Sequence, residues 1–184
     1  MRPDRDFVEL HTDRLRLRRS AVDDAPAISA YRSDPEVHRF QGWERTDVEA
    51  VRAEIAEMQN RAPGGGGGWV QLTVERCDTG ALVGDVGVAA VDEEPGVVKV
   101  GYTIDPAAQG RGYATEAVRA LVAYAFDTLG ADVVRMHASA NNVASIRVAE
   151  KAGLRFVERR VYRDEDEVWF GVRYELHRAE RSAV

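Results

Sequence analysis

Gln109-Gly110-Arg111-Gly112-Tyr113-Ala114 form a short loop with the composition of an anion-binding turn. The loop follows an alternating, β-branched run at Val97–Ile104 and precedes a long amphipathic pattern, which predicts a strand, a turn and a helix N-terminus. The first N–H groups of a helix have no acceptor within it, and the helix dipole adds about half a positive charge there. Gly110 and Gly112 lack a Cβ, so a bulky anion can approach the backbone closely. We therefore predict that this turn binds a pyrophosphate.

The glycine spacing excludes two nucleotide-binding motifs. A dinucleotide fingerprint requires a third glycine three residues after the second, and Thr115 occupies that position. The chain contains no GxxxxGK[ST] sequence, which excludes a nucleoside-triphosphate P-loop. A glycine turn that merely caps a helix is the remaining alternative, and the strand and helix that flank the turn favour the pyrophosphate site over it.

Length and composition are those of a single globular domain. The 184 residues suffice for one full core, and 45% hydrophobic with 30% charged residues is an ordinary balance. The sequence has no apolar run that could span a bilayer and its start resembles no signal peptide, so we expect a cytoplasmic location and no membrane partner. We expect one domain over 1–184, with tails at 1–9 (or an edge segment there) and 179–184.

Charge and metal-binding residues narrow the function further. The 25 basic and 31 acidic residues give a formal net charge of −6, which argues against a nucleic-acid partner and mildly favours cationic ligands. Cys77 is the sole cysteine, and its predicted turn offers no neighbouring histidine for nucleophilic catalysis. The four histidines show no metal-ligand spacing, so no metal site is predicted.

The remaining patterns predict an α+β chain around the loop. The expected order is β, two helices, ββ, β, helix, β, helix, ββ, which is a mixed-sheet layout. Strands are expected at 12–18, 69–75, 82–90, 97–104, 133–138, 156–162 and 168–176. The main helices are expected from Asp23 or Asp24 to Tyr31, and at 46–60, 113–129 and 142–153.

Gln109, Gly112 and Ala114 follow a strand as Q-x-x-G-x-A, which resembles the acyl-CoA signature of the GNAT N-acetyltransferase superfamily. The element order over about residues 10–178 is similar to the GNAT fold. In that fold a mixed, mostly antiparallel central sheet is flanked by helices, and two splayed strands hold the cofactor. The segments that resemble the RimJ/RimL-like branch of the family are 12–18, 34–37, 82–87 and 142–154.

The resemblance implies acetyl-CoA as the cofactor and an amine as the acceptor. The backbone from Gln109 to Ala114 would hold the pyrophosphate, and the strand at Tyr102-Thr103-Ile104 would pair with the pantetheine arm. Asn142 and Ser145 would lie near the pantetheine and the sulfur. The implied cofactor-binding set is Thr103, Ile104, Gln109, Gly110, Arg111, Gly112, Tyr113, Ala114, Asn142, Ser145 and Lys151.

Two members of this set also fit purely local roles. Asn142 is a favourable N-cap, with Ser145 in the first turn that follows. Lys151 near a helix C-terminus is favoured by the helix dipole alone.

The implied reaction is direct attack of a neutral amine on the acetyl thioester, with Ser145 stabilising or protonating the departing thiolate. The family often has a glutamate two residues before the glycine of its Gly-Tyr pair, and this chain has Lys99 there. The candidate bases are Asp85, Glu36 and Tyr102, with Asp85 the first to test, and a water relay is the alternative.

The pKa of the acceptor amine narrows the class of acceptor that the reaction favours. At pH 7 an α-amine with a pKa near 8 is about 10% neutral, whereas lysine at about 10.4 is about 0.04% neutral. A protein N-terminal α-amine or another low-pKa primary amine therefore needs less help from a base. The open alternatives are another acyl-CoA donor, a polyamine or antibiotic acceptor, and a non-catalytic acyl-CoA-binding module. The oligomeric state, including a homodimer, also remains open.

Overall fold

The computed structural model describes residues 1–41, 46–163 and 168–181, so the acidic linker at 164–167 and the last three residues lie outside the description. The described helices are α1 Ala25–Arg32, α2 Pro35–His38, α3 Val48–Met58, α4 Tyr113–Asp127 and α5 Val143–Lys151. The described strands form one sheet from β1 Glu9–His11, β2 Leu15–Arg19, β3 Val70–Arg76, β4 Leu82–Ala90, β5 Val97–Ile104, β6 Val133–Ser139, β7 Arg155–Arg163 and β8 Val168–His177. The predicted α+β class, with a mixed sheet flanked by helices, is confirmed.

The sheet contains a single parallel contact among its described strands, between β5 and β6. The spatial order is β1-β2-β3-β4-β5-β6-β8-β7, and the other neighbouring pairs are antiparallel. β5 and β6 pair over residues 97–99 and 133–135. Past these residues no register pair joins the described parts of the two strands, so the strands diverge. Each diverging edge carries backbone N–H and C=O groups that need another partner.

The main core lies between the sheet and α4. Ala117, Leu121 and Ala125 recur at helical spacing and are fully buried, packing in one cluster with Val98 and Val100 of β5. Burying one such leucine contributes about 2 kcal/mol to stability. The cluster fixes α4 across the strands and sets the direction in which the helix N-terminus points.

The opposite face of the sheet carries a smaller core under α1 and α3. Ile28, Tyr31, Val51 and Ile55 form this cluster, and each is at most 4% exposed.

Within the described residues, no helix combines the length and the apolar character that crossing a membrane requires.

Asp85 of β4 anchors α1 to this face from a buried position. The residue is 2% exposed; its carboxylate accepts a hydrogen bond from the Tyr31 phenol and lies 3.4 Å from a guanidinium nitrogen of Arg32. Burial raises the pKa of Tyr31, and the negative charge of Asp85 raises it further, so the phenol remains a donor. Asp85, the first of the candidate bases to test, thus has its carboxylate oxygens in contact with Tyr31 and Arg32 of α1.

The N-terminal segment, predicted as a tail or an edge segment, packs along the edge of the domain, where β1 pairs with β2. Phe7 is 8% exposed and packs edge-on against Tyr124, with ring centroids 5.4 Å apart. The Tyr124 phenol donates to Asp4 at 2.7 Å, and the Arg2 N–H donates to the Leu129 carbonyl at 2.7 Å. At the other end, the described residues 178–181 also pack on the domain, with an Arg181 guanidinium 2.9 Å from Asp127.

Asp85→Ala should lower the free energy of unfolding by about 3 kcal/mol, because it removes one partner of a buried ion pair. Urea denaturation followed by circular dichroism measures this change. Asp78→Ala is the matched control: Asp78 pairs with Arg76 at 2.5 Å on the same hairpin, but its side chain is 63% exposed. The control should lose less than about 1 kcal/mol. Equal losses in the two variants would contradict the anchoring role.

Candidate functional site

The glycine loop, residues 109–114, connects β5 to α4 at the open end of the diverging strands. Gly112 is the N-cap of α4 with φ +83, and Gly110 has φ +74. A Cβ at Gly110 would meet no heavy atom within 4 Å, so the loop surface is open. Among the described residues, none accepts a hydrogen bond from the backbone N–H groups of residues 110–115. Consecutive free donors at the positive end of a 15-residue helix make a site for an anion.

The side chains of Gln109 and Arg14 hold this loop in place. Gln109 donates from Nε2 to the Ile104 carbonyl at 3.0 Å, which closes the loop onto the end of β5. Arg14, just before β2, donates to the Arg111 carbonyl at 3.1 Å and pairs with Glu116 of α4 at 2.5 Å. The loop is therefore fixed to both the strand before it and the helix after it.

The diverging strands open into a cleft of about 970 Å³, large enough for a sizeable organic ligand. The glycine loop, α5, the segment around α2 and the free ends of β5 and β6 line it. Arg111 is exposed, and the described lining does not include its side chain. The other residues of the predicted cofactor set all line the cleft: Thr103, Ile104, Gln109, Gly110, Gly112, Tyr113, Ala114, Asn142, Ser145 and Lys151.

Tyr102 of β5 and Ser145 of α5 meet inside the cleft. Burial raises the pKa of the Tyr102 phenol, and a side-chain hydrogen bond with Ser145 only partly opposes this. The phenol, one of the candidate bases predicted from the sequence, therefore keeps its proton at neutral pH. Asn142 is the N-cap of α5 and accepts a hydrogen bond from the Ser145 N–H at 3.0 Å, so its capping role is present.

The other face of β5 forms a second wall of the cleft with different chemistry. Because strand residues alternate, Lys99, Gly101 and Thr103 lie on the face opposite to Tyr102. Gln41, which follows α2, donates to Thr103 Oγ1 at 3.2 Å and closes one side of this wall. Trp69, just before β3, lies over Gly101: a Cβ at Gly101 would come within 3.5 Å of its indole ring.

His137 of β6 completes this wall. Partial burial lowers the pKa of its imidazole, and the nearby cations of Arg135 and Lys99 lower it further, so the ring is neutral at pH 7. Within the described residues no group of three or more His, Cys, Asp or Glu side chains could hold a metal ion.

This geometry can be compared with known proteins. A model of the acetyltransferase (GNAT) domain matches residues 14–155. The chain belongs to the GNAT acetyltransferase family. GNAT proteins use acetyl-CoA as cosubstrate, and the family assignment makes this chain an acyltransferase that acts on amines. The uncharacterized N-acetyltransferase YoaA of Bacillus subtilis is 33% identical over 153 residues, which cover 80% of this chain and 82% of that protein.

Solved GNAT structures share the fold. A GNAT-family acetyltransferase from Bacillus anthracis superimposes with a TM-score of 0.81 at 21% identity, covering 92% of this chain and 98% of that one. Mycobacterium smegmatis RimJ, determined in complex with CoA-disulfide, gives a TM-score of 0.79 at 19% identity and covers 92% of this chain and 84% of that one. At such identities the likeness shows the fold alone.

Several residues that line the cleft or hold its glycine loop were not predicted from the sequence. Arg14 alternates with leucine and so resembles an ordinary solvated strand face, although it holds the glycine loop. Gln41 lies outside any predicted element, and Trp69 begins the predicted strand at 69–75, where nothing in the pattern indicates that its ring lies over Gly87 and Gly101. For His137 a signal existed, because strand alternation puts residues 135, 137 and 139 on one face of β6.

Gly112→Asp should weaken CoA binding by about 100-fold or more, because it places a carboxylate against the anion-binding N–H groups. Isothermal titration calorimetry with CoA measures the affinity. Gly80→Asp is the matched control: Gly80 has φ +69 and a Cβ there would meet nothing within 4 Å, so it adds the same charge and similar backbone strain. Gly80 lies in the β3–β4 turn and the control should bind CoA normally. Equal affinity in both variants would contradict the assignment of the loop.

Proposed function

We propose that this chain transfers the acetyl group of acetyl-CoA to a primary α-amine, such as a protein N-terminus. The observation that carries the donor assignment is the row of backbone N–H groups at 110–115 with no acceptor among the described residues. Acetyl-CoA supplies an activated acetyl thioester when it is bound. The cleft beside these donors has a volume of about 970 Å³, which such an elongated substrate can occupy.

The residues that would hold acetyl-CoA follow the cleft from its open end inwards. The N–H groups of the glycine loop would bind the pyrophosphate, and the unpaired edge of β5 at Tyr102-Thr103-Ile104 would pair with the pantetheine amides. Arg147 and Lys151 both line the cleft from α5 and would balance phosphate charge. Arg111 would contribute through its backbone, since its side chain lies outside the described lining.

Tyr102 and Ser145 would act on the leaving thiolate. Both residues line the cleft where β5 and β6 have diverged, and the raised pKa of Tyr102 keeps its proton available. A hydroxyl pair that holds a proton near the sulfur stabilises charge that develops there. We assign Tyr102 as the acid and Ser145 as the group that orients it.

The described carboxylates that line the cleft already have hydrogen-bond or ion-pair partners. This favours an acceptor amine of low pKa, because such an amine needs less help from a base. Asp34 accepts a hydrogen bond from the Glu36 N–H at 2.8 Å, and Glu36 pairs with Arg39 at 2.9 Å. With Asp85 buried under α1, an α-amine can lose its proton to water, because about 10% of it is neutral at pH 7. The neutral His137 imidazole is the one described side chain of this wall that could relay that proton.

Tyr102→Phe should lower kcat by about 100-fold, because it removes the proton donor for the thiolate, while the affinity for CoA stays within about twofold. Release of free thiol from acetyl-CoA in the presence of an amine measures the rate. Tyr124→Phe, which removes a phenol that donates to Asp4 far from the cleft, is the control and should retain full kcat. Full activity of Tyr102→Phe would remove the phenol from the reaction.

At pH 7 a peptide with a free N-terminus should react faster than an N-terminally blocked peptide with one lysine. The difference in neutral fraction is a factor of about 250. This preference should shrink as pH rises towards 10, because both amines become neutral. Thiol release measured from pH 6.5 to 9.5 gives the ratio at each pH. A lysine preference at pH 7 would overturn the α-amine assignment, and CoA binding with no amine-dependent thiol release would overturn the proposed reaction.

A further inference from the structure

Two facing glycines create a flat site for Trp69 on the acceptor side of the sheet. Gly87 of β4 and Gly101 of β5 are cross-strand partners. A Cβ at Gly87 would lie 2.8 Å from the Trp69 ring, and one at Gly101 would lie 3.5 Å from it. The indole therefore lies across both strands in contact with their backbones. Trp69 is 36% exposed and lines the cleft, so the indole forms an aromatic floor there.

Lys99 stands at the edge of this floor. Its ammonium nitrogen is 5.8 Å from the Trp69 ring centroid, which is within the range of a cation–π contact. Together Trp69 and Lys99 form what we call the Trp–Lys platform. Among the described residues, Lys99 has no carboxylate within salt-bridge distance.

The acidic groups around Lys99 are committed elsewhere. Arg135, which pairs with Lys99 in the strand register, is 7% exposed and binds both Glu94 and Glu175 at 2.6 Å. Lys99 and His137 line the same cleft, and the positive charges of Arg135 and Lys99 both lower the pKa of the His137 imidazole. The local field of the platform is therefore positive, although the formal net charge of the chain is −6. Within a screening length of about 8 Å the nearby charge outweighs the net charge.

Lys99 lies too far from the glycine loop to bind the phosphates of acetyl-CoA. It lies where β5 and β6 are still paired, whereas the glycine loop follows Ile104 at the other end of β5. Five residues of strand separate the two positions, which is about 16 Å. From Lys99 to Gly101 the distance along the strand is only about 6.6 Å, which a lysine side chain can span. An anion at Lys99 would therefore belong to the acceptor.

We propose that the Trp–Lys platform selects acceptors in which a carboxylate lies beside the reacting α-amine, with Lys99 binding the carboxylate and Trp69 carrying the apolar body. This inference rests on the proposed function. The shared chemistry occurs in a free amino acid and in a peptide whose second residue is acidic. Although the net charge mildly favours cationic ligands, a polyamine at this platform would meet the ammonium of Lys99.

The same contact assists the reaction. A carboxylate beside an amine stabilises the ammonium form and raises the pKa of the amine. Lys99 neutralises that carboxylate and adds a positive charge of its own, and both effects favour the neutral amine that attacks. Lys99 thus favours the neutral amine by electrostatics, without accepting a proton from it.

The test compares matched acceptors in the wild-type protein and in Lys99→Met, which keeps the apolar stem over Trp69. The small-molecule arm uses phenylalanine and phenylalaninamide, and the peptide arm uses Ala-Asp-Phe-amide and Ala-Asn-Phe-amide. In each arm, kcat/KM for the compound with the carboxylate is divided by kcat/KM for its amide counterpart, which gives the acid-to-amide ratio. We expect Lys99→Met to lower this ratio by about tenfold in the arm whose compounds resemble the natural acceptor. Because each ratio is compared between proteins, differences in amine pKa cancel. Lys99→Glu should lower the ratio further.

Lys151→Met is the control, since Lys151 is the one other lysine of the chain and lines the donor part of the cleft. It should raise the KM for acetyl-CoA and leave both acid-to-amide ratios unchanged. Ratios that are equal in wild type and Lys99→Met in both arms, with thiol release still dependent on amine, would overturn the platform and leave the proposed function standing. Absence of thiol release with every acceptor would overturn the proposed function and this inference together.

Discussion

The parallel pairing of β5 with β6 stops at residues 99 and 135, and the site exists because it stops there. Had the two strands stayed paired, their backbone groups would be satisfied and the cleft would be closed. Once they diverge, each edge keeps donors and acceptors that cost about 1–3 kcal/mol apiece if buried without a partner. A ligand with amide groups along its length can restore those hydrogen bonds. The fold thus presents an incomplete sheet that a substrate completes.

The positions of the other elements follow from this opening. The core under α4 aims the helix N-terminus at the open end of the cleft, and Gln109 closes the loop back onto β5. Arg14 and Glu116 link the start of β2 to the first turn of α4 across about a hundred residues of sequence. The anion site is therefore a property of the folded domain, and no isolated loop peptide would reproduce its arrangement of N–H groups.

Much of this could be predicted where a pattern is local. The strands at 82–90 and 97–104 were predicted with their observed bounds because their residues alternate and are β-branched. The glycine loop was located because a strand, two glycines and a helix follow each other directly. The contacts of Asp85 could not be predicted, since alternation shows which face it occupies but not that α1 covers that face. Residues 1–9 have no period, and the anchoring of the segment by Phe7 depends on Tyr124, which is distant in sequence.

The alternation of β5 also separates the two halves of the site by face. Tyr102 lies on the face of the sheet that packs against the core helices and would act on acetyl-CoA. Lys99 and Trp69 lie on the opposite face of the sheet. Lineages could therefore change acceptors by altering one side of the sheet while inheriting the other intact. Such change is constrained at one point: a side chain at Gly87 would collide with Trp69, so these two positions must evolve together. Divergence of acceptor choice within this architecture would then proceed by coupled replacements on a single surface.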